Sequence, residues 1–145
     1  MTHNKKPKGY IIYEGASLID GKPIVEIAIL SSKNIKTGNM IQTYILRQDI
    51  NPLEANKSGQ DVSICGDCPH KGTPHQDPTK KTAKNRSCYV NLGQGVLIVY
   101  KQYKKGAYPK INGHDAIAAI GKDKLVRIGT YGDGSAVPAY VNESL

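Results

Sequence analysis

Residues 9–30 read GYIIYEGASLIDGKPIVEIAIL. Two runs rich in Ile, Val and Tyr, 9–14 and 22–30, flank the turn-rich EGASLIDGKP. Branched and aromatic side chains suit a pleated, half-buried surface, and Gly, Asp and Pro interrupt it. The stretch therefore predicts a β-hairpin. Polar SSKNIKTGNM follows, with a turn expected at Lys36, Thr37 and Gly38, and IQTYILR (41–47) predicts the next strand. From Gln48 to Asn85 the chain reads as loop, with several prolines. Beyond Cys88 the period changes: in GQGVLIVYKQYKKGAYP, Val96, Val99, Tyr100 and Tyr103 fall at i, i+3, i+4 and i+7, the spacing of one helix face. Gly106 should stop that helix, with Pro109 beyond it. HDAIAAIG (114–121) predicts a short helix with Asp115 as N-cap and Gly121 at its end. KLVRIGTYGDGSAVP (124–138) predicts a buried, central strand entering a glycine-rich loop, and SAVPAYVNESL a last helix or turn.

Strands first, then helix, helix, strand and helix make an α+β domain: a small mixed sheet, short helices and one long loop. The 145 residues suit a single domain with a real core. It divides into a β-rich part (9–47), a Cys-containing loop (48–90) and a helix–helix–strand part (91–145). No run of eighteen apolar residues is present, so no membrane partner is expected. The basic N-terminus lacks the apolar stretch of a signal peptide, which places the expectation in the cytoplasm.

The long loop holds SICGDCPH (63–70), and RSCYVNLGQG follows at 86–95. Cys65, Cys68 and Cys88 are the chain's three cysteines. In a reducing compartment a disulfide framework is not expected, and an odd count leaves a thiol over. Three readings stay open: a metal centre, unrelated buried thiols, or a Cys65–Cys68 redox pair. The C-x-x-C gap lets two sulfurs reach one ion from a tight turn, which favours metal. A redox pair opens a helix whose N-terminus lowers a thiol pKa, and Pro69, Gly72, Pro74 and Pro78 oppose a helix there. A loop this long also calls for something to organise it. Zinc needs a fourth ligand; His75 and His70 are the candidates, with Asp67 and Asp77 weaker, while each histidine read alone is a solvated loop residue. The competing cofactor is an iron–sulfur cluster, for which three thiolates suffice.

Charge is uneven. Residues 70–110 carry nine basic side chains against Asp77 alone, net +8, equal to the net charge of the whole chain. Clustering of this kind is the footprint of a nucleic-acid partner, DNA or RNA. Lys80, Lys81, Lys84, Arg86, Lys101, Lys104 and Lys105 are the candidate phosphate contacts, and Tyr108 a base-stacking ring. The competing reading is a solvated helix face with its tyrosines turned to the core.

KTGNMIQTYIL, CGDCPH, SCYVNLGQG and LVRIGTYGDGSAVP, in this order, resemble an uncharacterised family of phages and prophages related to the gene product eighty-eight group, across residues 34–138. The resemblance implies that Cys65, Cys68 and Cys88 belong together and that the protein is phage-derived. It also implies a short or truncated member, since the family continues past the Gly-Asp strand. The three cysteines and the later Gly-Asp further resemble radical S-adenosylmethionine enzymes, although nineteen residues separate Cys68 from Cys88 where that motif is compact. No P-loop, dinucleotide fingerprint or Ser-His-Asp set is present, and Tyr89 lacks the His-x-His pair of a strand-transfer enzyme. Asp133, after the strand, is a candidate ligand contact, with a plain turn as its ordinary role. The expectation is a phage metal-binding accessory protein associated with nucleic acid, with binding favoured over catalysis and the enzyme question left open. Its rivals are an iron–sulfur enzyme fragment and an anti-defence protein that docks a host protein.

Overall fold

The computed structural model describes residues 8–30, 41–66, 68–88, 92, 95–111, 113–122 and 126–145. The expected turn at 36–38, Asp67 and Tyr89 lie outside them. β1 (Gly9–Ala16) and β2 (Pro23–Ile29) form the hairpin, and β3 (Ile41–Arg47) adds antiparallel to β2. β4 (Val126–Tyr131) pairs parallel with β3, giving the sheet order β1-β2-β3-β4. Among the described residues β4, the strand read from KLVRIG, is thus at the edge of the sheet rather than central. Its apolar sequence misleads because Ile128 stays exposed.

β2 is buried at every position from Ile24 to Ala28, so both sheet faces are covered. Ile24, Val25, Ile27, Ile41, Ile45 and Leu46 form the centre of the core. Helix α3 (Gly95–Lys104) presents Val96 and Val99 to it, as its period requires. Helix α4 (His114–Gly121) contributes Ile117 and α5 (Ala139–Ser144) contributes Val141. Asp115 sits inside the first turn of α4, where Gly113 is the N-cap; an acidic residue there still complements the helix dipole. Tyr108 is 9 % exposed and packs in the core. It is therefore not the stacking ring that its place among lysines suggested.

The segment read as loop contains two short helices, α1 (Pro52–Ser58) and α2 (Val62–Cys65), and a 3-10 turn at Pro69–Lys71. The signals for α1 are local. The Asn51 side chain accepts from Leu53 N at 2.9 Å, Pro52 opens the helix, and Gly59 closes it; each is a standard boundary preference. Among the described residues, no helix is long and apolar enough to cross a membrane.

Candidate metal centre

Helix α2 is fastened at three points. Arg47, from the end of β3, donates to Ser63 Oγ at 3.2 Å, and Ser17, in the β1–β2 turn, donates to Ser63 O at 2.6 Å. Asp133 N donates to Ile64 O, bringing the loop after β4 against the same helix. The Asp133 side chain accepts from Ser135 N and caps a 3-10 turn, the plain turn role. Gly132, just before it, has φ +90 and leaves no room for a Cβ, which would stand 2.7 Å from Ile45 Cβ. That close approach lets β4 deliver Tyr131 and Asp133 to α2.

Cys65 is the last residue of α2, so the C-x-x-C closes a helix instead of opening one. Cys68 N reaches back to Cys65 O at 3.3 Å. The chain then folds into an antiparallel pair. Thr73 and Lys84 exchange backbone hydrogen bonds of 2.8 and 2.9 Å, and Ser87 N and Cys88 N both donate to His70 O at 3.0 Å. Gly72, with φ +86, permits the pairing, since a Cβ there would meet Lys84 O at 2.5 Å. This ladder carries Cys88 back to the C-x-x-C turn.

All three cysteines are free and half-buried. Burial first, then Asp61, then the neighbouring thiols Cys68 and Cys88, push Cys65 up to about 12. The backbone of Cys88, bonded to His70 O, lies close in the fold to the turn that holds Cys65 and Cys68. Among the described residues, no three His, Cys, Asp or Glu side chains already stand at the spacing that would hold a metal ion.

The histidines part company. His75 Nδ1 accepts from Asp77 N at 3.1 Å, so its Nε2 carries the proton and donates to Thr82 O at 2.7 Å. Both ring nitrogens are committed to holding the 75–82 turn, and no lone pair is left for a metal. His70 lies beside Cys88 and Cys68, its Nδ1 2.9 Å from Ser87 Oγ on the exposed side. Asp77 accepts from Thr79 N and Oγ1.

Behind Cys65 lies a polar cluster that no sequence motif marks. Asp61 is 1 % exposed and Tyr131 4 %. Asn56 Nδ2 donates to Asp61 Oδ2 at 2.9 Å and to Lys71 O at 2.8 Å, while its Oδ1 accepts from Ala83 N at 2.8 Å. Asp61 Oδ1 is buried without a hydrogen-bond partner among the described residues, and the Tyr131 hydroxyl makes no full hydrogen bond beyond its interaction with the Cys65 thiol. A buried polar atom left unpaired costs roughly 1–3 kcal/mol. Burial raises the Asp61 carboxyl, opposed by Asn56, Lys71, its own backbone N–H and Arg86. Burial, then Cys65 and Asp61, raises the Tyr131 hydroxyl, which stands against the Cys65 thiol.

The basic residues fall into two groups. Lys80, Lys81 and Lys84 are exposed around a cavity of about 360 Å³ that His75 and Asn85 also line. Lys101, Lys104 and Lys105 are exposed near the end of α3, with Lys104 Nζ on Gln48 O at 3.2 Å. The loop meets α1 through His75 N on Lys57 O and Ala83 N on Asn56, and α3 packs on α1 too. Arg86 points inward, donating to Cys88 O at 3.1 Å and acting on Asp61. The chain matches no family model, no curated protein and no solved structure, so the site is read from its own geometry.

Proposed function

We propose that this is a phage- or prophage-derived metal-binding accessory protein in which Cys65, Cys68 and Cys88 hold one zinc ion. The ion ties the 66–88 segment to the end of α2, and the basic residues that the segment carries associate with nucleic acid. The observation that carries the reading is the hydrogen bond from Cys88 N to His70 O, which brings the Cys88 backbone back to the residues just past the C-x-x-C. Zinc–sulfur bonds are about 2.3 Å. Cys65, Cys68 and Cys88 are free and half-buried, so their thiols are available to a metal. Site formation is then also loop formation, because binding free energy is folding free energy in such a centre. An iron–sulfur cluster is the second reading. The commitment of both His75 nitrogens favours it, since three thiolates suffice for a cluster.

Lys80, Lys81 and Lys84 on the loop, Lys101 on α3 and Lys105 just past its end are the phosphate contacts in this proposal; Arg86 serves the centre instead. Fluorescence anisotropy with labelled duplex DNA and single-stranded RNA, with and without chelator, tests the reading. The metal-loaded protein should bind with a log–log salt slope near −0.9 per phosphate neutralised on duplex and about −0.7 on single strands. Replacing Lys101 and Lys105 together by Ala should lower the slope by about two contacts, and chelation should remove the loop's share. No binding at low salt by loaded protein would refute the nucleic-acid part and leave an acidic host protein as the partner to seek.

A further inference from the structure

Several cations of the basic segment are tied down. Lys71 Nζ donates to Gly66 O at 2.6 Å, Lys104 Nζ donates to Gln48 O at 3.2 Å, and Lys110 Nζ stands 3.7 Å from Glu14. Lys80, Lys81 and Lys84 differ. They are exposed and line one cavity of about 360 Å³, and among the described residues no hydrogen bond or ion pair engages their ammonium groups. Thr82 and Asn85 line the same cavity and add a hydroxyl and an amide. The walls are preset. His75 N donates to Lys57 O at 3.1 Å and its Nε2 to Thr82 O at 2.7 Å, while Ala83 N donates to Asn56 Oδ1 at 2.8 Å and Lys84 N to Thr73 O at 2.9 Å. Asp77 is the one acidic side chain in the lining, and its Oδ1 accepts from Thr79 N and Oγ1. Three ammonium groups against one carboxylate leave the cavity net +2. His75 adds no charge, since its Nδ1 accepts from Asp77 N.

We infer that this cavity receives a phosphate monoester, the group found at the end of a nucleic-acid strand or on a free mononucleotide. The inference rests on the nucleic-acid reading above for the strand that carries the group, and on the cavity for the group itself. A monoester carries about −1.5 to −2 charges at pH 7 and three strong acceptor oxygens, whereas a backbone diester carries a single negative charge. The net charge of the lining matches the monoester. Shape agrees with charge. The cavity volume falls in the small-ligand range, roughly 300–1,000 Å³. A diester within a strand has chain on both sides and crosses such a hollow at its rim, but a strand end can enter it. Lys80, Lys81 and Lys84 then hold the monoester oxygens, with Thr82 and Asn85 as uncharged donors. Lys101 and Lys105 keep their part as contacts for ordinary backbone phosphates. No bond forms or breaks in this binding.

Fluorescence anisotropy with internally labelled single strands, identical except for a 5′-phosphate, a 3′-phosphate or neither, tests the inference. At least one phosphorylated strand should bind about 10-fold more tightly than the strand with hydroxyls at both ends, the scale of one charge-assisted hydrogen bond. Unlabelled AMP should compete for that preference, and adenosine should not. Lys80→Ala combined with Lys84→Ala should abolish the preference; both side chains are exposed, so their truncation leaves the packing intact. Lys101→Ala combined with Lys105→Ala should weaken all three strands alike and leave the ratio unchanged. Equal binding of the three strands, with AMP inert, refutes the inference and leaves the nucleic-acid reading standing. A preference that survives the loss of Lys80 and Lys84 also refutes it, since the phosphate would then sit elsewhere. Calorimetric binding of AMP without binding of any strand supports the cavity's ligand and defeats the nucleic-acid reading instead.

Discussion

Glu26→Gln should make the protein more stable at pH 8 and leave it nearly unchanged at pH 4. Glu26 is 0 % exposed in the middle of β2, between Tyr13 of β1 and Ile45 of β3. The Asn142 amide of α5 donates to its oxygens at 3.2 and 2.8 Å. Burial lifts the carboxyl from 4.5 to about 7, against the opposing hydrogen bonds of Thr43 and Asn142. A folded-state pKa above the unfolded one means that the native chain binds the extra proton between those values. Glu26 therefore favours the fold most below about pH 4.5, and that stability drains as pH rises through about 7. The interval of about 2.5 pH units corresponds to roughly 3 kcal/mol. Gln imitates the protonated carboxyl, so the variant should lack this slope. Urea denaturation of both proteins from pH 4 to 8.5 measures it, because other titrating groups contribute equally and cancel in the difference. A difference curve that is flat across the range would refute the reasoning.

Cys88→Ser should release the metal, lower the melting temperature, and cut hydrogen-exchange protection in 66–88 while sparing β1 to β3; unchanged metal content and melting would reject the shared centre. Gly72→Ala should cost more than about 1 kcal/mol, since Ala at positive φ is strained and its Cβ would collide with Lys84 O; denaturation and metal affinity both report it. Tyr108→Ala should cost about 3 kcal/mol in stability, as truncation of a core aromatic does, with the salt slope of nucleic-acid binding unchanged; a shift in RNA affinity at constant stability would return Tyr108 to the binding surface.

The hairpin, β3 and α3 were legible because their periods come from local sequence: alternating Ile and Val for the strands, and Val96, Val99, Tyr100 and Tyr103 for the helix. Helix α1 was missed although Asn51, Pro52 and Gly59 spell its boundaries, because the surrounding prolines made the whole of 48–85 read as coil. The edge position of β4 depends on pairing with a strand about eighty residues away, which no local pattern reveals. At the site, C-x-x-C and the later cysteine were visible as motif residues. Asp61 and Tyr131 were not, since only the folded chain buries them. The opposite error befell His75, whose residue type suggested a ligand while its hydrogen bonds make it a turn brace, and Tyr108, whose lysine neighbours suggested a surface that its packing denies.

The central claim is one metal centre built on Cys65, Cys68 and Cys88. Elemental analysis of anaerobically purified protein, read together with its absorption spectrum, tests it most directly. The account predicts one zinc per chain in a colourless protein, with the three thiols shielded from a thiol reagent until chelator is added. Iron and sulfide with strong absorption near 400 nm would keep the three-thiolate centre and replace zinc by a cluster. A protein free of both metals after reconstitution with each, with all three thiols reactive whether or not chelator is present, would contradict it.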